Sequence, residues 1–498
     1  MTAMLLPVVR TLRELLDSIP LDYRWVHVPG APDASSIQIT NLSQHHEAAE
    51  PGGLHFCIRG AVYNGHRYAR EAVSAGALAL VCAYRIEDLP VPQIVVDNVR
   101  EAMAHITCSF YSYPSRRLNV VGITGTSGKS STAAMLENVL RSLGDSVINY
   151  GTFTGRHTTP ESLLFQRRLA GAAAADIDTV VTEVTSHSLV QHRVDGTTFR
   201  IAAFTNLTPE HLDYHKTMEA YFRAKSHLFD PAMSKSCVID VSTEWGARLA
   251  SSVDPSRLHA FGPRDITVDR LSPQGAQIRW RGHSAYLPVT PRFYLNNAIM
   301  AAEIALALGH EASEVADSLH NVRGVRGRYE VIDIGQPFAA IVDYAHTPDA
   351  INCVLKDTRE LYPQANLVIV FGCGGDRDRK KRAPMGKDAA SLAERVVLTS
   401  DNPRREDPES IIDEIYSGVP KELRDTVTIV PDRAKAIAVA VQDARAGDVV
   451  LVVGKGHEQY QELGDSRYPF QDQQVLRAEL LKWMEREPGS ARDDVGEQ

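Results

Sequence analysis

One stretch limits what this chain can fold into more than any other: Leu-Asn-Val-Val-Gly-Ile-Thr-Gly-Thr-Ser-Gly-Lys-Ser-Ser, from Leu118 to Ser131. Val120 and Val121 have the character of the end of a buried strand, and the apolar period from Ala133 to Leu143 predicts a helix beginning just after Ser130. A strand that enters a helix through glycines gathers backbone N–H groups at the helix's positive end, where a phosphate is held, and Lys129 adds a point charge. Counted from Gly122 the spacing is G-x-x-G-x-x-G-K-S, so the first glycine of the common G-x-x-x-x-G-K-[ST] loop would fall at Ile123. Gly125, Thr126, Ser127, Gly128, Lys129, Ser130 and Ser131 are the candidate triphosphate-binding residues, because triphosphate and magnesium chemistry requires a lysine followed by a hydroxyl. A Gly/Ser turn feeding an ordinary helix is the plain alternative.

A chain of 498 residues exceeds one ordinary core and predicts about three domains. Its 44% hydrophobic and 23% charged residues are those of a soluble globular protein, and a formal charge of −9 argues against bulk nucleic-acid binding. No stretch approaches the roughly 18 uncharged apolar residues of a membrane span. Arg10 and Arg13 follow the apolar N-terminal residues, the reverse of a secretory leader, so a cytoplasmic location is expected. Cys57, Cys82, Cys108, Cys237, Cys353 and Cys373 form no C-x-x-C pair. Buried thiols in a reducing compartment are expected rather than a zinc or dithiol site.

Residues 1–115 have the pattern of a small α/β unit, with strands near Gln38, at Leu54 to Ile58, Ala77 to Cys82 and Pro92 to Val96, and a helix from Tyr68 to Ala75. The proline-marked segment Tyr111 to Arg117 is a junction. Residues 116–330 alternate strands (Asp178 to Glu183, Ile201 to Phe204, Ser236 to Ile239) with helices (Ser130 to Leu143, Thr217 to Leu228), the syntax of a doubly wound sheet. An antiparallel patch is expected between 250 and 290, a helix from Asn297 to Leu308, and a terminating turn at Val322 to Arg328. Residues 331–490 begin the pattern again, with five strands at Ala339 to Val342, Ala365 to Phe371, Arg395 to Thr399, Thr426 to Val430 and Val449 to Val453. The polar tail from Glu487, and residues 491–498 in particular, is expected to be disordered.

Ligands of open parallel sheets meet the carboxyl ends of strands, so Glu183 and His187, just past an apolar run, are candidates to face the phosphate loop. Glu183 suits a magnesium ion shared with Ser130, since magnesium prefers oxygen ligands; a solvated strand-end glutamate is the alternative. His211, Asp213 and His215 offer metal ligands or an acid–base pair, though one of these histidines can instead be a satisfied core residue or a helix cap. Lys225 lies on a helix with Tyr221, Phe222, Leu228 and Phe229; there it is either a solvated lysine or a residue beside a metal, where its charge would have to be removed. Asp343 and His346 follow another apolar strand and can reach a ribose or phosphate, while Thr347, Pro348 and Asp349 are explained by a helix start. The run Phe371 to Arg382, glycines followed by alternating charge, is an anion-handling loop or a solvated surface. Asp401, Asn402, Pro403 and Arg404 follow a strand, and Arg404 can make a two-pronged contact with a carboxylate. Gly454 to Glu458 follows another, and Glu458 can receive an ammonium, so the two loops together would read both ends of an amino acid.

In this ordered combination the chain, over roughly residues 115 to 475, resembles the Mur ligases, ATP-dependent amide-forming enzymes of peptidoglycan precursor synthesis. The resemblance implies three α/β domains: a small N-terminal acceptor-binding domain, a central P-loop ATPase-like domain with a mostly parallel sheet, and a Rossmann-like C-terminal domain that takes the amino acid. It implies ATP and Mg2+ as cofactors, with Lys129 and Ser130 on phosphates and metal, Glu183 and His211 at magnesium, and Lys225 carbamylated into an anionic metal ligand. By the same resemblance Asn297, Arg328, Asp343 and His346 handle the nucleotide. Thr158, Thr159, Pro160, Glu161, Ser186 and Arg193 would handle a UDP-muramoyl-dipeptide acceptor. Asp401, Asn402, Pro403 and Arg404 resemble the signature for meso-diaminopimelate, with Gly454 and Glu458 at its distal end. A monomer without nucleic-acid partners is expected.

Three segments depart from the family's usual pattern. Asn41-Leu42-Ser43 stands where relatives usually carry Asp-Ser-Arg, at the uridine end. Pro291 to Tyr294 lacks a usual glycine and asparagine, and Phe470-Gln471-Asp472 replaces Phe-Asp-Asp. The first keeps a second expectation open, a Mur-ligase-like enzyme of a specialised pathway with a different carboxylate acceptor.

Overall fold

The computed structural model describes residues 8–28, 32–60, 63–154 and 157–486. The tail expected to be disordered, 487–498, lies outside them, as does most of the N-terminal stretch weighed as a leader. The chain divides into two units, one of Met1–Leu207, Thr217–Arg264 and Met300–Val315, the other of Thr208–Lys216, Asp265–Ile299 and Ala316–Gln498.

Among the described residues the first unit holds two large sheets and a two-stranded antiparallel pair of Arg10–Thr11 with Gln38–Ile39. The N-terminal one runs in the order Tyr23–Val26, Gln93–Val96, Ala77–Cys82, Gly53–Phe56 and Asn41–Ser43, with the first strand antiparallel and the rest parallel. Its core packs Leu54, Phe56, Val81 and Ile94 against Leu12, Leu15 and Ile106. The last three come from helices Leu12–Leu16 and Val99–Phe110, neither of which was expected. Both carried legible starts: Thr11 and Glu14 form a capping box, and Asn98 caps the second helix.

The central sheet has six parallel strands in the order Leu258–Phe261, Ser234–Asp240, Phe199–Phe204, Asn119–Thr124, Thr179–Glu183 and Val147–Tyr150. The Asn119–Thr124 strand lies in its interior, with Ile123 beside Glu183 on one side and Ala203 on the other. From it the chain passes through helix Lys129–Ser142 to the edge strand Val147–Tyr150 and returns to Thr179–Glu183. Only then does it cross to Phe199–Phe204. This reversal makes the carboxyl end of Asn119–Thr124 a topological switch point, the crevice where such sheets bind ligands. Gly122 is needed there, since a Cβ would lie 2.8 Å from the Phe199 ring.

In the second unit, the expected antiparallel patch is a three-stranded meander of Ile266–Ser272, Gly275–Trp280 and His283–Leu287. The larger sheet runs Glu330–Val331, Ala339–Asp343, Val449–Val453, Leu367–Phe371, Arg395–Leu398 and Val427–Ile429, parallel except for the first strand. All five expected strands are present. A hairpin, Tyr460–Leu463 with Ser466–Pro469, was not expected. The α/β class with mostly parallel sheets is borne out.

Of the cysteines, five are buried, but Cys353 is exposed on helix Pro348–Leu361, contrary to the expectation of buried thiols. No helix among the described residues is long and apolar enough to cross a membrane.

Helix Asp472–Arg486 is fixed by a fully buried ion pair, in which Arg433 donates to both carboxylate oxygens of Asp472 at 2.8 and 2.7 Å. The same guanidinium donates to Val453 O at 2.9 Å and Ser400 O at 3.4 Å, tying together two strand ends. Asp472→Ala would leave this charge buried and uncompensated, so a loss of about 3–5 kcal/mol is expected in urea unfolding followed by circular dichroism. An unchanged urea midpoint would contradict it.

Candidate functional site

The phosphate-loop candidates form one tight structure. Gly125 and Gly128 have φ of +149° and +84°, and Gly128 caps helix Lys129–Ser142 without a side-chain bond to the helix's first N–H groups. A Cβ on Gly125 would meet Thr205 Oγ1 at 1.9 Å. The loop is pinned from the neighbouring strand end, where Thr126 N donates to Asn206 O and Ser127 N to Asn206 Oδ1, both at 3.0 Å.

Ser130 and Glu183 meet across the switch point. Ser130 Oγ donates to Glu183 Oε2 at 2.7 Å, and Thr152 N donates to Glu183 Oε1 at 2.7 Å. Glu183 is 2% exposed, so the alternative of a solvated strand end is excluded. A buried carboxylate against a hydroxyl at a helix N-terminus is an all-oxygen donor pair of the kind a small hard cation takes. Among the described residues no group of three or more His, Cys, Asp or Glu side chains is arranged to hold a metal.

Lys129 Nζ donates to Gly125 O at 2.9 Å and Thr126 O at 2.7 Å. Lys225, 1% exposed, also donates to Gly125 O, at 2.6 Å, and lies 4.7 Å from the centre of the Tyr221 ring. Lys225 is therefore not the solvated helix lysine of the plainer alternative. Two ammonium groups converge on one neutral carbonyl.

The acceptor candidates surround this centre in the first unit. Thr158 Oγ1 reaches Thr152 Oγ1 at 3.3 Å, Thr159 Oγ1 donates to Glu183 O at 2.8 Å, and Arg193 Nη1 donates to Thr159 O at 2.9 Å. Glu161 is paired with both Arg193, at 2.9 Å, and Arg100, at 3.0 Å. Pro160 and Ser186 are buried nearby in sequence, Ser186 opening helix Ser186–Val190. Ser131 is buried in the first turn of the loop helix.

His211, Asn297, Arg328, Asp343 and His346 belong to the second unit. His211 adopts a left-handed φ of +56° at the cap of the short helix Leu212–His215, and its Nε2 is 3.8 Å from Glu210 Oε2. Glu210 Oε1 also reaches His346 Nε2 at 3.2 Å. Asp343 accepts from Tyr329 N and Ala345 N, each at 2.7 Å. Burial pushes its carboxyl above the ordinary value, opposed by Arg328 and these N–H groups. Arg328 lies 4.2 Å over the Tyr344 ring, with its Nε buried and unbonded. Asn297 is buried on helix Arg292–Leu308. That helix begins in the departing segment 291–294, where Phe293 N donates to Asp357 at 2.9 Å.

The expected amino-acid loops also come together. Asn402 Nδ2 donates to Glu458 Oε2 at 2.8 Å, and Gly454, with φ +112°, leaves room for Asp401, whose Oδ2 would lie 2.8 Å from a Cβ there. Lys455, fully buried, donates to both Asn402 Oδ1 (2.9 Å) and Glu458 Oε2 (2.8 Å) and lies 3.8 Å from Asp401 Oδ1. Arg404 donates to Glu462 through Nε and to Gly375 O through Nη1, both at 2.8 Å. Pro403 is buried between them in sequence.

Thr152, Asn206, Lys455 and Glu462 were not singled out by sequence. Asn206 and Lys455 each stand two residues past an apolar strand, the position that marked the other candidates. Thr152 and Glu462 carried no such signal.

Residues 123–305 match the Mur ligase middle domain, and residues 327–456 match the Mur ligase, glutamate ligase domain. The chain is 37% identical, over 488 residues, to the UDP-N-acetylmuramoyl-L-alanyl-D-glutamate--2,6-diaminopimelate ligase of Bacillus licheniformis, covering 92% of this chain and 97% of the relative. A solved structure of a ligase of that name superposes with a TM-score of 0.66 at 28% identity, over 95% of this chain and 99% of the other. The MurF ligase of Thermotoga maritima in complex with ADP shares the fold, with a TM-score of 0.60 at 16% identity over 90% and 97% of the two chains. Two family domains in order, a full-length relative at this identity and a phosphate loop built at the switch point lead to one assignment: the chain belongs to the Mur ligase family.

Proposed function

We propose that the chain is an ATP-dependent amide ligase that adds meso-2,6-diaminopimelate to UDP-N-acetylmuramoyl-L-alanyl-D-glutamate, releasing ADP and phosphate. The observation that carries this is the convergence of the glycine loop, Lys129, Ser130 and buried Glu183 on one sheet end, in a chain whose full-length relatives bear that ligase name.

In this reading residues 1–115 take the nucleotide-sugar end of the acceptor, 116–330 the ATP and 331–490 the amino acid. The acceptor's terminal carboxylate attacks the γ-phosphorus of ATP, forming an acyl phosphate as ADP leaves. The diaminopimelate amine then attacks that carbonyl, and the tetrahedral intermediate expels phosphate. The chain contributes mainly position and charge. The N–H groups of Gly125 to Ser131 cradle the phosphates and Lys129 counters the charge that develops on them. Asn297, Arg328, Asp343 and His346 hold the rest of the nucleotide; the buried, unbonded Arg328 Nε supports a ligand role. Thr158, Thr159, Pro160, Ser186 and Arg193 orient the acceptor. Asp401, Asn402, Pro403, Arg404, Gly454 and Glu458 orient the amino acid.

Magnesium would be held by Ser130 and Glu183 with His211 and carbamylated Lys225, and when bound it neutralises phosphate charge. The all-oxygen Ser130–Glu183 pair supports that fit. Carbamylation is supported by the meeting of Lys225 and Lys129 on Gly125 O, because an anion on Lys225 turns a repulsion into an attraction. The enzyme is proposed to act as a cytoplasmic monomer. A second reading, a specialised ligase with another carboxylate acceptor, draws on Asn41 to Ser43. Ser43 faces inward to His55 at 2.9 Å, where relatives usually present an arginine.

Lys225→Ala is expected to lower ligation, measured as ADP release, by about a hundredfold or more, with partial recovery on adding a small carboxylic acid. Unchanged turnover would refute the carbamate. With the dipeptide acceptor present, meso-diaminopimelate should exceed lysine in kcat/KM by about a hundredfold; comparable values would refute the amino-acid assignment. Faster ADP release with a non-nucleotide fragment than with UDP-muramoyl-Ala-Glu would favour the second reading.

A further inference from the structure

We infer that Glu462 is a positioning residue for amino-acid selection, which holds Arg404 in place and, by sharing its charge with Arg467, keeps Arg404 electropositive toward a second carboxylate. This rests on the reading of the 401–404 loop as the amino-acid site and names what sets its selectivity.

Every polar group of Glu462 is engaged at this loop. Its N–H donates to Asn402 Oδ1 at 3.0 Å, and its carbonyl accepts from Arg404 N at 3.1 Å. Its Oε2 accepts from Arg404 Nε at 2.8 Å and its Oε1 from Arg467 Nε at 2.9 Å. Glu462 and Arg467 are a cross-strand pair of the hairpin Tyr460–Leu463 with Ser466–Pro469, so the fold fixes their separation. The next turn of the hairpin adds a bond from Gly464 N to Arg404 O at 2.7 Å.

Arg404 needs this support. Its φ is +53°, in the left-handed region, which persists for a non-glycine residue only where the surroundings over-determine it. The hairpin bonds its backbone on both sides, while Glu462 and Gly375 O fix the guanidinium in two of its donor directions. Nη2, which takes part in neither bond, is the donor left to meet a carboxylate.

Charge decides which amino acid benefits. A lone Glu462 would neutralise Arg404 one for one. Divided between two guanidiniums, it leaves the cluster with one surplus positive charge. Asp401 and Glu458 against Lys455 leave one surplus negative charge on the adjoining loops. The pair of surpluses suits an ammonium and a carboxylate at the distal end of the amino acid, and an amino acid ending in an ammonium alone gains from only one of them.

The test is steady-state ADP release with saturating ATP and dipeptide acceptor, titrating meso-diaminopimelate or lysine, for the full-length wild type, Glu462→Ala, Glu462→Gln and Arg467→Ala. Glu462→Ala is expected to raise KM for diaminopimelate about tenfold and to lower the diaminopimelate-to-lysine ratio of kcat/KM by a similar factor, with KM for ATP within about twofold of wild type. Glu462→Gln, which still accepts from Arg404, should recover part of that loss. Arg467→Ala, a change at an exposed side chain, should raise the same KM about threefold, because Glu462 then neutralises Arg404. Diaminopimelate KM and selectivity within about twofold of wild type in the alanine variants, or a fall confined to kcat, would overturn the inference. If Glu462→Ala does not purify folded, the other two variants decide it. A wild type without diaminopimelate-dependent ADP release would instead overturn the amino-acid assignment, and this inference with it.

Discussion

Two lysine ammonium groups sharing the carbonyl oxygen of Gly125 set the terms for the centre of this enzyme. Like charges this close are stabilised by anions beside them, and a triphosphate is such an anion. The geometry that produces the crowding comes from the sheet. Because the Asn119–Thr124 strand lies inside the sheet at its switch point, its loop receives Glu183 from one neighbour and Thr205 and Asn206 from the other. Gly125 cannot carry a side chain there without displacing Thr205. Thus the position of one strand dictates the loop composition, the placement of the hydroxyl–carboxylate pair and the meeting of the two ammonium groups.

The loops proposed to take the amino acid are built by the same rule on a second, mostly parallel sheet, with one addition. Strand ends supply Asp401 to Arg404 and Gly454 to Glu458, and the buried Arg433–Asp472 pair anchors the carbonyls just before each of them. This gives the third departing segment a physical meaning. The aspartate retained at 472 carries the buried ion pair, whereas Gln471 accepts from Arg326 near the surface. The first position thus carries a neutral acceptor and the second a buried anion.

Parallel strands and the helices they feed were legible because burial on both faces writes continuous apolar runs such as Val449–Val453. Residues at their carboxyl ends were legible for the same reason, and Glu183, Lys129, Arg404 and Glu458 all lie where that pattern puts them. Several short or edge elements were not. The strand Val147–Tyr150 is only partly buried along most of its length, and the hairpin around Gly464 is mostly exposed, so neither shows a hydrophobic period. Helix Ser162–Ala174 hid among alanines and arginines. Lysines were the hardest to read, since a buried Lys455 and a solvated lysine have the same sequence signature until the surrounding carboxylates are placed.

One electrostatic device recurs at both proposed substrate sites. Glu161 lies between Arg100 and Arg193 on the acceptor side, and Glu462 lies between Arg404 and Arg467 on the amino-acid side. In each case a single carboxylate fixes two long guanidinium side chains that outnumber it in charge. A lone arginine would be equally positive, but it would lose rotamer freedom on meeting its ligand. Among the described residues no such pair is built on the edge strand Asn41–Ser43: Ser43 bonds inward to His55, and Asn41 donates to Pro51 O. In the proposed reading the acceptor meets the Glu161 cluster. That cluster joins the N-terminal helix Val99–Phe110 to the central sheet through Arg100 and grips the loop of Thr159 through Arg193.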